Sequence, residues 1–434
     1  MSDNKLSRRG FLKTTAVAAA GTAALGALTP STALGANDRV AFGCIGLGGM
    51  GTGHLHSLVN RSKEDNIQVL GLCDVYQRRL TRAEEVCKNG SQPAQSYLDY
   101  RKLLDNKDID AVLIATPDHW HAKLCIEAME AGKHVYIEKP ITLTIEQAIS
   151  VRNAVKRYNK VLQVGPQRTS EDQYWKAQQQ IREGRLGKVT MAQGSYNRNV
   201  RDCAFNRWFK IDESAGPEQT GEDYIDWNMW LGSEWGLAPK IPFNPEHFFR
   251  FRKYFRYNGG VATDLLYHFL APLLLAITGE NGVYPRRVSA GGGLYVFKDG
   301  RDIPDVFTMT IDYPQEFSVY LASWLTNDTQ LPTRILGQYG TIELPDNGGN
   351  ATYTGNGDFK QEFRDNHNGF DQVIIPSQNQ RDMEGNLIDV IRKGGKLFCN
   401  VDLGVATMVA IKMGVEAYRQ NKTMLWDAQK EKIV

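Results

Sequence analysis

The sequence predicts an α/β protein in two parts: an N-terminal doubly wound parallel sheet, then an α+β domain on an open, largely antiparallel sheet. Three observations carry this. A strand-like run at residues 39–45 leads directly into Gly46-Leu47-Gly48-Gly49-Met50-Gly51. Short apolar runs and helix-period segments then alternate as far as Val164. From about Lys188 the pattern shifts to strands of alternating apolar and polar residues.

Taken in order, strands are expected at residues 39–45, 67–73, 109–115, 133–137 and 161–164, each a continuous apolar run suited to burial on both faces. Helices are expected between them at 52–59, 78–88, 97–104, 120–131 and 145–158. In the second part, strands are expected at 188–196, 287–297, 305–313 and 317–324, with a shorter pair at 334–338 and 341–344 around Gly340. Residues 346–380, rich in Gly, Asn, Asp and Gln, read as loop, and 383–392 and 404–418 as amphipathic helices. The 434 residues thus divide into a leader at 1–36, a first domain at 37–165 and a second at 166–434, whose terminal helix, 404–420, packs back on the first.

The glycine run fits G-x-G-x-x-G and stands where a Rossmann fold places it, between a strand and a helix. Gly46 permits the tight turn, Gly48 lets backbone N–H groups approach a pyrophosphate, and Gly51 lets the helix pack close to the strand. The helix N-terminus adds partial positive charge for the phosphates. The second strand ends at Asp74, about 20 residues on, where a carboxylate can accept from both ribose hydroxyls. Gly46, Leu47, Gly48, Gly49, Met50, Gly51 and Asp74 are therefore candidate contacts for a nicotinamide dinucleotide. The charge of Asp74 disfavours a 2′-phosphate and so favours NAD, while Arg78 and Arg79 just behind it keep NADP open. Ligands in such sheets bind beyond the carboxyl ends of the strands. That rule points to the loops at 116–121, with Thr116, Pro117 and His121, and at 138–140, with Glu138 and Lys139.

Those loops carry a family resemblance. Thr116-Pro117-Asp118-His119-Trp120-His121, Gly132-Lys133-His134-Val135-Tyr136-Ile137-Glu138-Lys139-Pro140 and Gly259-Gly260-Val261-Ala262-Thr263-Asp264-Leu265-Leu266-Tyr267-His268 resemble motifs of the Gfo/Idh/MocA oxidoreductases. Asp226-Trp227-Asn228-Met229-Trp230-Leu231-Gly232 resembles an element of the exported members. The matches run from about residue 39 to 270, and residues 394–418 fit the family's closing helix. Two positions depart from the pattern: Val261 stands where many members have a third Gly, and Ala271 where many have an Asp.

The resemblance implies hydride transfer between a sugar carbon and a nicotinamide. As a carbon loses hydride, its hydroxyl must lose a proton to a base, and the oxygen needs a donor. Lys139, on a short loop at the sheet's ligand edge, is the candidate donor and His268 the candidate proton acceptor; Asp264 would orient the sugar or the His or tune Lys139, and it shares one face with His268 if the segment is helical. Arg168 and Tyr174, next to the strand at 161–164, are candidate sugar contacts together with Asp264 and His268. Residues 196–257 are crowded with aromatics and arginines, Trp208 among them, which suit stacking on a pyranose or else packing of a long insertion or a subunit interface. Two other functions fit the same residues. One is an NAD-dependent glycosidase working by transient oxidation at C3 and elimination; the other is a non-catalytic sugar or nucleotide sensor.

The formal charge is +2, and the first 36 residues alone balance at +3, so the remainder is near neutral and has no electrostatic case for nucleic acid or an anionic membrane. The six cysteines show neither C-x-x-C nor zinc spacing and read as small buried hydrophobes, without disulfides or metal. Residues 7–13, Ser-Arg-Arg-Gly-Phe-Leu-Lys, form a twin-arginine signal, so the Tat translocase is an expected partner and the periplasm or another exported location the expected site of action. The open sheet face, if apolar, would join subunits as a homodimer or homotetramer, and the remaining expected partner is a small sugar.

Overall fold

The computed structural model describes residues 38–203, 205–346 and 348–434; the twin-arginine segment lies outside the described residues. Its first sheet has six parallel strands in the order β3-β2-β1-β4-β5-β6: β1 (Val40–Ile45), β2 (Ile67–Cys73), β3 (Gln95–Tyr97), β4 (Ala111–Ile114), β5 (His134–Ile137) and β6 (Leu162–Val164). β1 and β4 are buried at every residue, which is why they read as unbroken apolar runs. The connecting helices are α1 (Gly49–Asn60), α2 (Gln77–Asn89), α3 (Tyr100–Asp105), α4 (Asp118–Glu130) and α5 (Ile145–Tyr158). α5 opens with a capping box of Thr144 and Gln147 and closes at Asn159 in the left-handed region, so both ends are satisfied locally. Strand order reverses between β1 and β4, and the crevice above that switch point receives the glycine turn on one side and residues 115–117 on the other.

After α6 (Asp172–Arg182) comes a ten-stranded sheet: β7 (Val189–Ser195), β8 (Arg287–Gly293), β9 (Val306–Asp312), β10 (Ser318–Trp324), β11 (Thr333–Gly337), β12 (Gly340–Leu344), β13 (Ala351–Gly355), β14 (Gln372–Ile375), β15 (Met424–Asp427) and β16 (Lys432–Ile433). Its pairs are antiparallel except β7 with β10. In β9, Phe307, Met309 and Ile311 enter the core while Thr308 and Thr310 face outward. The outward face is mainly polar, with Gln193, Thr310, Arg334 and Thr354, rather than the apolar surface that a self-association argument asked for.

Three local expectations need correction. Residues 346–380 are not simply loop: they form β13, β14 and a short helix, Lys360–Asn366, with Tyr353 and Phe363 buried. Their turn-rich composition hid a short alternation that takes its hydrogen bonds from β12. The helix expected at 97–104 is divided, because Asp99 caps a later start by accepting from Arg101 N. Asp264 lies in a π-helical turn, Ala262–Leu266, that precedes the helix Tyr267–Thr278.

The segment between β7 and this turn forms a second small core on the Rossmann half. Trp227 and Trp230 stack at 4.8 Å and pack with Phe248, Tyr257 and Tyr76, so this aromatic set fills an insertion. The chain's end ties the two sheets together. In Val401–Gln420, Gly404 lies so near Val164 of β6 that a Cβ would stand 2.7 Å from it, and its carbonyl accepts from Tyr267 Oη at 2.6 Å. The helix Met383–Lys393 sends Glu384 to His54 of α1. Among the described residues no helix is long and apolar enough to cross a membrane, no acidic, His or Cys cluster could hold a metal, and all six cysteines are buried and free.

Candidate active site

A cavity of about 630 Å³ runs along the ligand edge of the first sheet, within the usual range for small-molecule sites. The glycine turn forms one end. Gly46 has φ +87°, and a Cβ there would lie 2.7 Å from the Ala115 backbone; at Gly51 it would lie 1.8 Å from the Gly46 carbonyl oxygen. Only glycine fits either place. Gly48 caps α1, and Gly48, Gly49 and the 46% exposed Met50 face the cavity, whereas Leu47 is buried beneath it. Asp74 lines the same end. Its carboxylate accepts from Leu47 N at 2.6 Å and Tyr76 N at 2.9 Å, which locks the end of β2 to the turn. Arg78 is drawn away by ion pairs with Asp212 and Asp223, while the Arg79 guanidinium stays on the cavity wall, 3.8 Å from Asp74.

The other end gathers Lys139, Asp264 and His268, contributed by two elements far apart in sequence. Lys139 precedes a cis proline, Pro140. Its Nζ donates to Asp264 Oδ1 at 2.6 Å and to the Asp264 carbonyl at 3.0 Å. Arg252 Nε donates to Asp264 Oδ2 at 2.9 Å. Burial alone would raise the Asp264 carboxyl, but Lys139 and Arg252 reverse this and hold it well below the usual carboxylate range. His268 moves the other way. Burial, reinforced by the ammonium of Lys139, holds its imidazole well below the ordinary value, so it is neutral at neutral pH. Its ring meets Tyr196 edge-on at 5.9 Å. The arrangement offers a fixed cation, a fixed carboxylate and a neutral base on one wall, the set that proton removal from a hydroxyl demands.

The remaining sequence candidates divide. Thr116 and Pro117 line the cavity, and the Thr116 hydroxyl is buried without a partner. His121 does not line it: both ring nitrogens meet carbonyls, of Pro140 at 2.7 Å and Thr116 at 2.8 Å, so it clasps the two loops. Glu138 also points away from the cavity, into a buried cluster where Oε1 meets His54 Nε2 at 2.8 Å and accepts from Gln167 at 3.2 Å. The other nitrogen of His54 meets Glu384 at 2.5 Å. Burial opposes the charge on His54, but the two carboxylates prevail and lift its pKa to about 10. Arg168 lies off the cavity, over the Phe269 ring at 4.4 Å and bonded to Asp346 at 3.2 Å, and Tyr174 is wholly buried beside it. Trp208 is 41% exposed under the Arg207 guanidinium, also off the cavity.

Several residues of the site escaped the sequence reading. Arg252 and Arg198 were present only as members of an aromatic and arginine-rich stretch. Asp118 opens α4 and is fully enclosed; burial and then Asp264 push its carboxyl up to about 7, and Asn258 donates to both its oxygens at 3.0 Å. The motif itself was the available signal for Asp118, but no spacing rule links it to Asn258.

Comparison with known proteins bears on the fold and on the first domain. Residues 40–166 match the family model described as GFO_IDH_MocA, oxidoreductase family, NAD-binding Rossmann fold. A glycosyl hydrolase family 109 protein of Shewanella baltica is 30% identical over 225 residues, 46% of this chain and 47% of that protein, so the chain's match spans about half the length of this curated relative. An aldose-aldose oxidoreductase of Caulobacter crescentus, solved with glycerol, superposes with TM-score 0.63 at 17% identity over 89% of this chain and 99% of that one. A levoglucosan dehydrogenase solved with NADH superposes with TM-score 0.62 at 18% identity over 89% and 98%. These two structures share the fold, Rossmann sheet and mixed second sheet alike. Residues 40–166 are thus an NAD-binding Rossmann domain of the Gfo/Idh/MocA oxidoreductase family.

Proposed function

We propose that the protein cleaves a glycoside by transient oxidation of the sugar ring, with NAD held at the glycine turn and no net redox change. The observation that carries this is the single cavity: dinucleotide elements form one end, and Lys139, Asp264 and His268 the other. The residues fit the cofactor. The turn leaves no room for side chains at Gly46 and Gly51, Asp74 faces the cavity, and the buried Thr116 hydroxyl lacks a partner. Asp74 supports NAD over NADP, because its charge would oppose a 2′-phosphate and Arg78 is committed elsewhere.

A bound nicotinamide would supply the hydride acceptor at a ring carbon and return the hydride at the end. The chain's own groups handle the protons. The neutral imidazole of His268 takes the hydroxyl proton, and the Lys139 ammonium, held by Asp264, donates to the oxygen left behind. With that carbon a ketone, the neighbouring C–H becomes acidic. Its proton is lost as the bond to the group on the next carbon breaks and that group departs with a proton; water then adds its hydroxyl at the vacated carbon and its proton at the neighbouring one, and the ketone is reduced. The likeness to a named glycosyl hydrolase supports this product over a net oxidation. A second reading, hydride exchange between two sugars, draws on the likeness to the aldose-aldose oxidoreductase. The twin-arginine segment supports action outside the cytoplasm.

The test is product analysis. Purified protein is incubated with nitrophenyl pyranosides, with and without added NAD. Release of nitrophenol and free sugar without lasting reduction of the cofactor is expected. Accumulation of oxidised sugar matched by reduced cofactor, with no aglycone, would establish the second reading instead.

A further inference from the structure

The reactive end of the cavity carries more positive charge than its carboxylate balances. Lys139, Arg198 and Arg252 all line it, against Asp264. Lys139 and Arg252 are both bonded to that carboxylate. Arg198 is not. Among the described residues its guanidinium meets no carboxylate and lies 5.6 Å from the Tyr196 ring centroid, and Tyr196 in turn abuts His268.

The backbone at this point is firmly held. Arg198 N donates to Trp324 O at 2.9 Å. The preceding Asn197 is buried, donates from Nδ2 to Thr329 O at 2.6 Å, and accepts from Trp324 N at 3.1 Å. Gln330 bonds both backbone groups of Asn197, at 2.9 Å and 2.8 Å. A firmly held segment just beyond β7 therefore presents an uncompensated cation to the cavity. Its charge is felt at the base, since Arg198 is among the cations that lower the His268 pKa. The dinucleotide's phosphates would be met by the glycine turn and the helix N-terminus behind it, whereas Arg198 neighbours Tyr196 and, through it, His268.

A neutral sugar closing over this wall would strip water from a guanidinium and return no charge to it. An acidic group would restore balance, and the planar fork of arginine matches a carboxylate or sulfate with two parallel bonds. We infer that the pyranoside taken by this site carries an anionic substituent, a carboxylate or a sulfate, that pairs with Arg198. The inference rests on the sugar reading of the site proposed above.

Calorimetric titration of the dinucleotide-loaded protein tests it. The probes are methyl glucuronide against methyl glucoside, methyl galacturonide against methyl galactoside, and galactose 6-sulfate against galactose. The acidic member of at least one pair should bind about 10- to 100-fold more tightly, less so at high salt. R198Q should erase that preference, and R198K, which keeps the charge, should retain most of it. The uronide and sulfate arms decide which anion is read. Equal or tighter binding of every neutral member, a preference that survives in R198Q, or no binding by any probe would each overturn the inference. The reduced-nicotinamide absorbance is read separately in the same samples. An Arg198-dependent preference with neither hydride transfer nor cleavage would leave the inference standing and remove the proposed function.

Discussion

His54 offers a quantitative test of how the Rossmann half is held together. Its imidazole lies between Glu138 and Glu384, at 2.8 Å and 2.5 Å, with little exposure on any partner. The folded protein binds the His54 proton with a pKa of about 10, against 6.5 for an unperturbed histidine. That gap corresponds to at most about 5 kcal/mol, at about 1.4 kcal/mol per tenfold change in proton affinity. The folded state is the tighter proton binder, so the contribution is complete below about pH 6.5. It then declines as pH rises and is gone above about pH 10. In H54Q two buried carboxylates lose their shared cation, which costs about 3–5 kcal/mol where wild-type His54 is protonated. Urea unfolding of both proteins at pH 6, 8 and 10 reads the difference. It should be largest at pH 6 and shrink steadily toward pH 10. A stability difference independent of pH would refute the reasoning, because it would mean that His54 contributes shape rather than charge.

Three further outcomes follow from the cavity. K139A should abolish turnover while dinucleotide binding, read by fluorescence titration, persists, since the glycine turn lies at the other end; retained turnover would remove Lys139 from the mechanism. D74A should weaken NAD binding about 10-fold or more and narrow the preference over NADP, because it removes both the ribose acceptor and the anchor of Leu47 N and Tyr76 N; an unchanged Kd would overturn the assignment. The acid limb of kcat/KM should fall below pH 6.5, because only the neutral His268 can accept a proton and its pKa is depressed; a limb at or above 6.5 would assign the base to another group.

The Rossmann half was legible because its physics is local in sequence. Unbroken apolar strands, a glycine turn dictated by close backbone approach, and an acidic residue at the end of β2 all announce themselves within a few dozen residues. The cluster around Lys139 was legible only by motif resemblance, since nothing in the spacing of residues 139 and 264 requires their contact. Partners joined across the fold were not legible at all. His54 and Glu384 are 330 positions apart, and Arg252 reaches Asp264 from an insertion whose aromatics gave equal support to packing and to sugar stacking. Glu138 was drawn to the ligand edge by its neighbour, yet side chains alternate along an extended segment and its own turns inward. The short strands at 351–355 and 372–375 were masked by turn-forming composition because their pairing partner, not their propensity, makes them strands.

The attachment of the last helices to the first sheet bears on how the molecule is made. Glu384 reaches back to α1, Arg392 bonds the carbonyls of Asp65 and Asn66, and Gly404 sits against Val164. During synthesis the parallel sheet therefore emerges with part of its apolar covering still untranslated, and it must wait for roughly the final tenth of the chain. A fragment ending near residue 166 would expose that surface permanently and should aggregate rather than bind nucleotide in isolation.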